Sequence, residues 1–119
     1  MDTTFSRIKA VFCDIDGTLL TSQHTVSPRT VAAIRALRER GVLFGLCTGR
    51  DAHATEAMYE FWGIEGLVDV LVGCGGAEVI DRAHAINELS FPLPGETIAR
   101  ICKHMADLPA TPVCPRDGV

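Results

Sequence analysis

The chain has 119 residues, of which 47% are hydrophobic and 22% are charged, and it carries a formal net charge of −4. This length allows one modest domain with a core, and this apolar content excludes a disordered chain. The acidic balance leaves no cationic surplus for a nucleic-acid backbone, and the strand-sized apolar runs are too short to cross a membrane. We therefore expect neither a nucleic-acid partner nor a membrane partner.

The first apolar segment, residues 8–13, is predicted to be a buried strand, and two aspartates follow it directly. Asp14 and Asp16 are one residue apart at the strand's carboxyl end, where both side chains can reach one ligand. Because the two negative charges repel, the pair needs a cation, a shared proton or solvent between its members. Mg²⁺ prefers such oxygen ligands, and one carboxylate can attack phosphorus while the other transfers protons.

Strand and helix signals then alternate along the chain. A helix begins at Ser27-Pro28, where serine caps free N–H groups, and it stops at Gly41. Connections of this length impose parallel pairing, so we expect an α/β fold with a Rossmann-like parallel sheet and helices on both faces. After the first helix, the predicted elements are a strand at 42–47, a helix at 51–62 that Gly63 ends, a strand at 67–72, a short strand at 77–81 and a helix at 96–107.

Thr48, Gly49 and Arg50 form the turn between the second strand and the following helix. Free backbone N–H groups at a helix N-terminus bind anions, a threonine hydroxyl can donate to a phosphoryl oxygen, and arginine adds a fixed cation. Because ligands of open α/β sheets bind beyond the carboxyl ends of the strands, we expect Thr48 to converge with Asp14 and Asp16. For Arg50, a salt bridge is as good an interpretation as a substrate contact.

Two runs together, VFCDIDGTLL at 11–20 and LCTGR at 46–50, resemble motifs I and II of the haloacid dehalogenase superfamily. Residues 8–90 are similar to the Cof-type phosphatases within that superfamily. The resemblance implies a magnesium-dependent phosphomonoester hydrolase that acts through an aspartyl-phosphate on small phosphorylated metabolites.

The same resemblance implies a role for each site residue. Asp14 is the nucleophile and a magnesium ligand. Asp16 is the acid/base, and it also ligates magnesium through its main-chain carbonyl. Thr48 and Gly49 hold the transferring phosphoryl group, and Arg50 is assigned to phosphate or substrate binding.

The sequence departs from the family pattern at three places. Gly75-Gly76-Ala77 stands where Cof-type proteins have Asn-Gly-Ala, and neither the motif III lysine nor the motif IV acid is found. The simplest interpretation is the N-terminal portion of a larger phosphatase. Residues 1–89 then form the first half of the core, and residues 90–119 form a linker and the truncated beginning of an inserted cap.

Two other functions remain open, namely a non-catalytic module that binds phosphate or Mg²⁺ or pairs with another subunit, and a phospho-accepting receiver domain. The receiver interpretation ranks low, because only Asp69, at the start of the third strand, offers an acid there. Five cysteines without paired spacing favour a cytoplasmic protein, and Cys13, Cys47 and Cys74 are predicted to be small buried residues. Oligomeric state and substrate identity are not predictable.

Overall fold

The computed structural model describes residues 7–114 as a five-stranded sheet with four α-helices. Two short helical turns, Ile15–Leu19 and Cys74–Gly76, follow the first and third strands. The elements are β1 (Ala10–Cys13), α1 (Pro28–Glu39), β2 (Leu43–Cys47), α2 (Ala52–Glu56), α3 (Tyr59–Trp62), β3 (Val70–Gly73), β4 (Glu78–Asp81), β5 (Ile86–Leu89) and α4 (Gly95–His104).

The strands lie in the order β1-β2-β3-β4-β5. Strands β1, β2 and β3 are parallel neighbours, which confirms the predicted Rossmann-like α/β arrangement. Strands β4 and β5 are antiparallel additions, and β5 was not predicted. The connection from β3 to β4 holds only a short turn, which can reverse the chain but is too short for the crossover that parallel pairing requires.

Helix α1 begins and ends where the sequence predicts. The Ser27 hydroxyl oxygen accepts a hydrogen bond from the Thr30 backbone N–H at 3.2 Å, and Pro28 occupies the first turn. Gly41 follows the helix with a φ of +75°, a conformation that glycine adopts without a steric penalty.

The predicted helix at 51–62 is instead two short helices, α2 and α3. Between them the Met58 backbone N–H donates to the Thr55 carbonyl oxygen at 3.0 Å, which is the tighter i to i+3 pattern. Gly63 ends α3 with a φ of +70°, as predicted. The break turns the chain so that Trp62, at the end of α3, enters the core.

The core lies on one face of the sheet, between the strands and helices α1 to α3. Its strand residues alternate with those of the opposite face. The largest contributors are Ile15, Ile34, Phe44, Leu46, Trp62, Ile64, Leu71 and Ile80, all at most 3% exposed.

The opposite face, here called the open face, presents Phe12, Leu43, Val70 and Ile86. Phe12 and Leu43 are each 48% exposed, and the Phe12 ring lies across Gly45. Within residues 7–114, the expected covering by helices is therefore met on the core face, whereas the open face carries exposed apolar side chains.

Helix α4 follows the predicted linker and ends three residues earlier than expected. None of its residues is buried. Among residues 7–114, no helix combines the length and the apolar character needed to span a bilayer.

Candidate active site

The two predicted motifs lie at the same end of the sheet. Asp14 directly follows β1 and Thr48 directly follows β2, and these parallel strands are paired with Cys13 opposite Leu46. The Thr48 backbone N–H also donates to the Val72 carbonyl oxygen of β3 at 2.9 Å. The structure thus brings these residues to one rim, as the parallel topology predicts.

Asp14 is held at the start of a wide turn. Its backbone is extended, and its Oδ1 accepts a hydrogen bond from the Ile15 backbone N–H at 2.8 Å. Ile15 is completely buried, so it anchors the turn in the core. Gly17 takes a φ of +74°, which explains the glycine after the acidic pair. The exposed Asp14 side chain is therefore attached to a fixed backbone.

Asp16 and Arg50 form a bidentate ion pair between the two motifs. Arg50 Nε donates to Asp16 Oδ2 at 2.7 Å, and Arg50 Nη2 donates to Asp16 Oδ1 at 2.6 Å. The Arg50 guanidinium holds the pKa of Asp16 below its ordinary value, chiefly through these hydrogen bonds. Of the two interpretations of Arg50, the structure contains the salt bridge.

Trp62 lies beneath this ion pair. The Arg50 Cζ atom is 5.7 Å from the centroid of the Trp62 ring, a cation–π distance, and Trp62 is only 3% exposed. The sequence gives no sign of this role, because a tryptophan at the end of a helix is ordinarily a core residue. Trp62 ends α3, which the break after α2 separates from the helix that follows Arg50.

Thr48 and Gly49 form the turn where an anion is expected. Thr48 is 6% exposed, and its Oγ1 accepts a hydrogen bond from the Arg50 backbone N–H at 3.0 Å. No atom lies within 4 Å of the position that a Cβ would take at Gly49, so the space beside this backbone is open. A tetrahedral anion has room to approach there.

The loop after β3 is bound to this turn by two hydrogen bonds, and we call the contact the loop strap. Gly75 N–H donates to the Thr48 carbonyl oxygen at 3.0 Å, and Cys74 N–H donates to the Arg50 carbonyl oxygen at 2.8 Å. Gly75 and Gly76 have positive φ, which glycine adopts in a tight turn without a steric penalty. The loop strap fixes the backbone on either side of Gly49.

A family model for haloacid dehalogenase-like hydrolases matches residues 11–114. The chain belongs to this family. It is 40% identical over 74 residues to a Haemophilus influenzae protein named "Putative phosphatase", a match that covers 62% of this chain and 27% of that protein. It is 32% identical over 79 residues to the HMP-PP phosphatase of Serratia proteamaculans, covering 66% of this chain and 28% of that enzyme.

A solved structure of a sugar phosphatase of haloacid dehalogenase subclass IIB superposes with a TM-score of 0.64 and 26% identity. That match covers 81% of this chain and 37% of the sugar phosphatase. This haloacid dehalogenase-like chain therefore spans between about a quarter and two fifths of the length of these three proteins.

A second cluster in this haloacid dehalogenase-like chain was not predicted. Ligand atoms of Asp51, Cys74 and Glu78 lie within 4.8 Å of one another beside the loop strap. Glu78 Oε2 accepts from the Ala52 backbone N–H at 2.9 Å and from Cys74 Sγ at 3.4 Å, while Asp51 Oδ1 accepts from the Ala54 N–H. The bond between Ala52 and Glu78 joins the start of α2 to β4, and Asp51 caps α2. Both acids therefore stabilise the fold.

The prediction that Cys47 and Cys74 are buried is wrong, since both are exposed, while Cys13 is half-buried. Cys47 lies on the open face, since it alternates with the buried Leu46, and Cys74 lies in the turn that follows β3. Partial desolvation and the neighbouring Glu78 raise the pKa of Cys74, which disfavours its thiolate. The five cysteines are all unpaired.

Proposed function

We propose that this chain carries the nucleophile and phosphate-binding half of a phosphomonoester hydrolase that acts through an aspartyl-phosphate on Asp14. The observation that carries the proposal is the ion pair between Asp16 and Arg50, which joins the β1 and β2 loops at one rim. Family membership supports hydrolase chemistry, and the named relatives support small phosphate esters as substrates.

In the first step, an Asp14 carboxylate oxygen bonds to phosphorus as the bond from phosphorus to the ester oxygen breaks. The ester oxygen takes a proton from Asp16 and leaves as the alcohol. An approaching phosphate dianion raises the pKa of Asp16 and so opposes the effect of Arg50. The lowered pKa of Asp16 favours its ionised carboxylate, which is the form that accepts a proton in the second step.

In the second step, water attacks the phosphorus of the aspartyl-phosphate and gives its proton to Asp16. The bond between phosphorus and the Asp14 oxygen breaks, and inorganic phosphate leaves with Asp14 restored. The Thr48 hydroxyl, which already accepts from the Arg50 N–H, retains its own proton to donate to a phosphoryl oxygen. The backbone at Gly49 contributes the remaining contact.

Magnesium is the cofactor of this proposal, and the donor chemistry fits it. Asp14 Oδ2 and the Asp16 carbonyl oxygen are hard oxygen ligands on an exposed turn, as Mg²⁺ requires. A bound ion would lower the repulsion between Asp14 and an anionic substrate and polarise the phosphoryl group. The carboxylate oxygens of Asp16 are occupied by Arg50, so its carbonyl is the better candidate ligand.

A second candidate is a non-catalytic module that binds phosphate. Neither lysine of the chain lies at the rim in residues 7–114, because Lys9 precedes β1 and Lys103 is on α4. Loss of one electrostatic donor costs roughly 10²–10³ in turnover elsewhere, so slow catalysis is expected for this chain alone. The unpaired cysteines support a cytoplasmic setting in either case.

Phosphate release from small phosphomonoesters, measured with and without Mg²⁺, tests the proposal. We expect Mg²⁺-dependent turnover that Asp14→Asn abolishes and that Asp107→Asn, which removes an exposed carboxylate on the C-terminal side of α4, leaves unchanged. Undiminished turnover in Asp14→Asn would sink the aspartyl-phosphate mechanism. Calorimetric binding of inorganic phosphate without turnover would instead support the non-catalytic module.

A further inference from the structure

We propose that Arg50 is a positioning residue that orients the Asp16 carboxylate and is not a ligand of the phosphoryl group. The inference rests on the proposed function, because orientation of Asp16 matters only if Asp16 transfers protons. It changes the role that the family resemblance implied for Arg50.

The first support is the geometry of the ion pair. Two donors of one planar guanidinium meet the two oxygens of one carboxylate, at 2.7 and 2.6 Å. Such a fork-to-fork pair fixes both the position and the plane of the carboxylate, which a single contact does not. In residues 7–114, the hydrogen bonds of the Asp16 carboxylate all come from Arg50.

The second support is the rigidity of Arg50 itself. Its backbone N–H is bound to Thr48 Oγ1, and its carbonyl oxygen accepts from Cys74 N–H. Its guanidinium lies over the ring of the buried Trp62. Arg50 is thus fixed at its backbone and at its guanidinium, as a support for a second side chain requires.

Asp16, by contrast, has little support of its own. It follows the first residue of the turn, its side chain is 54% exposed, and the next residue is Gly17. An exposed carboxylate on such a turn samples several rotamers, whereas proton transfer needs one geometry. A misplacement of about 1 Å can cost about 10²-fold in rate.

The division of labour at the rim agrees with this assignment. Two donors of Arg50 are engaged by Asp16, while the Thr48 hydroxyl proton and the open space beside Gly49 remain for the anion. To bind phosphate through Nε and Nη2, Arg50 would have to break two short, charge-assisted hydrogen bonds and uncover Asp16. The two roles therefore make opposite predictions about what phosphate does to the ion pair.

The test compares Arg50→Lys, which keeps the charge and loses the fork, with Arg82→Lys. Arg82 makes the same bidentate contact with Glu56, at 3.1 and 2.6 Å, so it is a matched control. In ¹⁵N-labelled chain, the Arg50 Nε–H resonance is assigned by its loss in Arg50→Lys. Trp62, the only tryptophan, reports on the same guanidinium by fluorescence.

Inorganic phosphate with Mg²⁺ is the probe. We expect the Arg50 resonance to keep its position at saturating phosphate, and both lysine variants to bind phosphate within about twofold of the wild type. A phosphate-induced shift of the Arg50 resonance, or about tenfold weaker binding in Arg50→Lys alone, would overturn the assignment. Absence of phosphate binding in the wild type would contradict the proposed function instead.

Turnover gives a second measurement. If the ion pair were purely structural, its loss would not change the relative rates for two kinds of ester. p-Nitrophenolate can leave without a proton, whereas an alkoxide leaving group needs one. Misplacing Asp16 should therefore slow mainly the hydrolysis of alkyl phosphates. We expect Arg50→Lys to lower kcat/KM for glycerol phosphate by about tenfold or more and for p-nitrophenyl phosphate by less than about twofold. Equal losses for both esters would overturn the role. If the wild type hydrolyses neither ester, the proposed function fails and the positioning role fails with it, and the resonance then tests only whether Arg50 contacts phosphate.

Discussion

Asp69 shows how a single carboxylate can belong to the fold and not to the site. It lies immediately before β3, at the end of the sheet opposite the candidate active site. Its two oxygens accept from Arg38 Nε and Nη2 at 3.2 and 3.0 Å, and one also accepts from the Phe44 N–H at 2.8 Å. This position agrees with the low rank of the receiver interpretation, which needs an acid after the third strand.

The Arg38 hydrogen bonds hold the pKa of Asp69 below its ordinary value. A carboxyl with a lower pKa in the folded state adds stability above its unfolded pKa, and this stability disappears as the pH falls through the folded pKa. We expect Asp69→Asn to lower the free energy of unfolding by about 1–3 kcal/mol at neutral pH and to flatten its decline below about pH 4.

Urea denaturation from pH 7 down to acid pH measures both effects. Glu65→Gln removes an exposed carboxylate from a turn and is the matched control, expected to change stability by less than about 0.5 kcal/mol. An Asp69→Asn chain that keeps the wild-type acid dependence would show that this carboxylate does not titrate with folding.

The candidate site residues that could be proposed from the sequence are those that lie beside a local sequence signal. Asp14, Asp16 and Thr48 follow apolar strands directly, so parallel pairing alone brings them to one rim. Trp62 reaches Arg50 through the break after α2, and Glu78 reaches the start of α2 through the reversal after β3. Both contacts depend on how the elements pack. The burial of Cys47 was mispredicted because its register places it on the open face, and an apolar run does not show which sheet face is covered.

The helices and strands divide in the same way, into those with a local sequence signal and those that depend on packing. The serine cap and the terminal glycine of α1 are local and were predicted, whereas β5 exists because β4 offers it an antiparallel edge. Strand β5 pairs Ile86 with Asp81 and Leu89 with Glu78, and all four of its residues are exposed. Without a buried face, such a strand lacks the alternating pattern by which strands are recognised.

Packing of α2 on β3 makes a prediction at the scale of elements. A Cβ at Gly73 would lie 2.7 Å from Ala52 Cβ and 3.0 Å from the Ala52 backbone, which cannot rotate away. We expect Gly73→Ala to lower the free energy of unfolding by about 1–3 kcal/mol through overpacking. Gly95→Ala, where no atom lies within 4 Å, is the control and should not destabilise the chain.

Thermal and urea unfolding of the two alanine variants separates the effect of the contact with Ala52 from the effect of an added methyl group alone. Equal stabilities for Gly73→Ala and Gly95→Ala would mean that α2 moves away from β3 at little cost. Because α2 begins two residues after Arg50, such movement would also appear as a change in Trp62 fluorescence.

At the scale of the whole molecule, the part of the chain that the structure describes has one packed sheet face and one open face. Phe12 and Leu43 lie on the open face, where each is about half exposed, and neither belongs to the core. Exposed apolar surface of this kind binds the dye ANS. We expect the folded chain to enhance ANS fluorescence and the double variant Phe12→Ser, Leu43→Ser to reduce that signal by at least about half.

The control for the dye experiment is the double variant Phe91→Ser, Leu93→Ser in the linker, where the side chains are 96% and 60% exposed. It removes similar apolar area without touching the sheet, so it should retain most of the signal. Circular dichroism verifies that each variant is folded. A larger loss in the linker variant would assign the dye site to the linker.

The loop strap couples the residues of the loop after β3 to the backbone between Thr48 and Arg50. Because two amide groups of the loop after β3 donate to the carbonyls of Thr48 and Arg50, a change of length or residue in that loop would move the backbone of this turn without replacing either aspartate. A change in Cys74 to Gly76 can therefore alter the candidate site from outside it, through backbone hydrogen bonds alone.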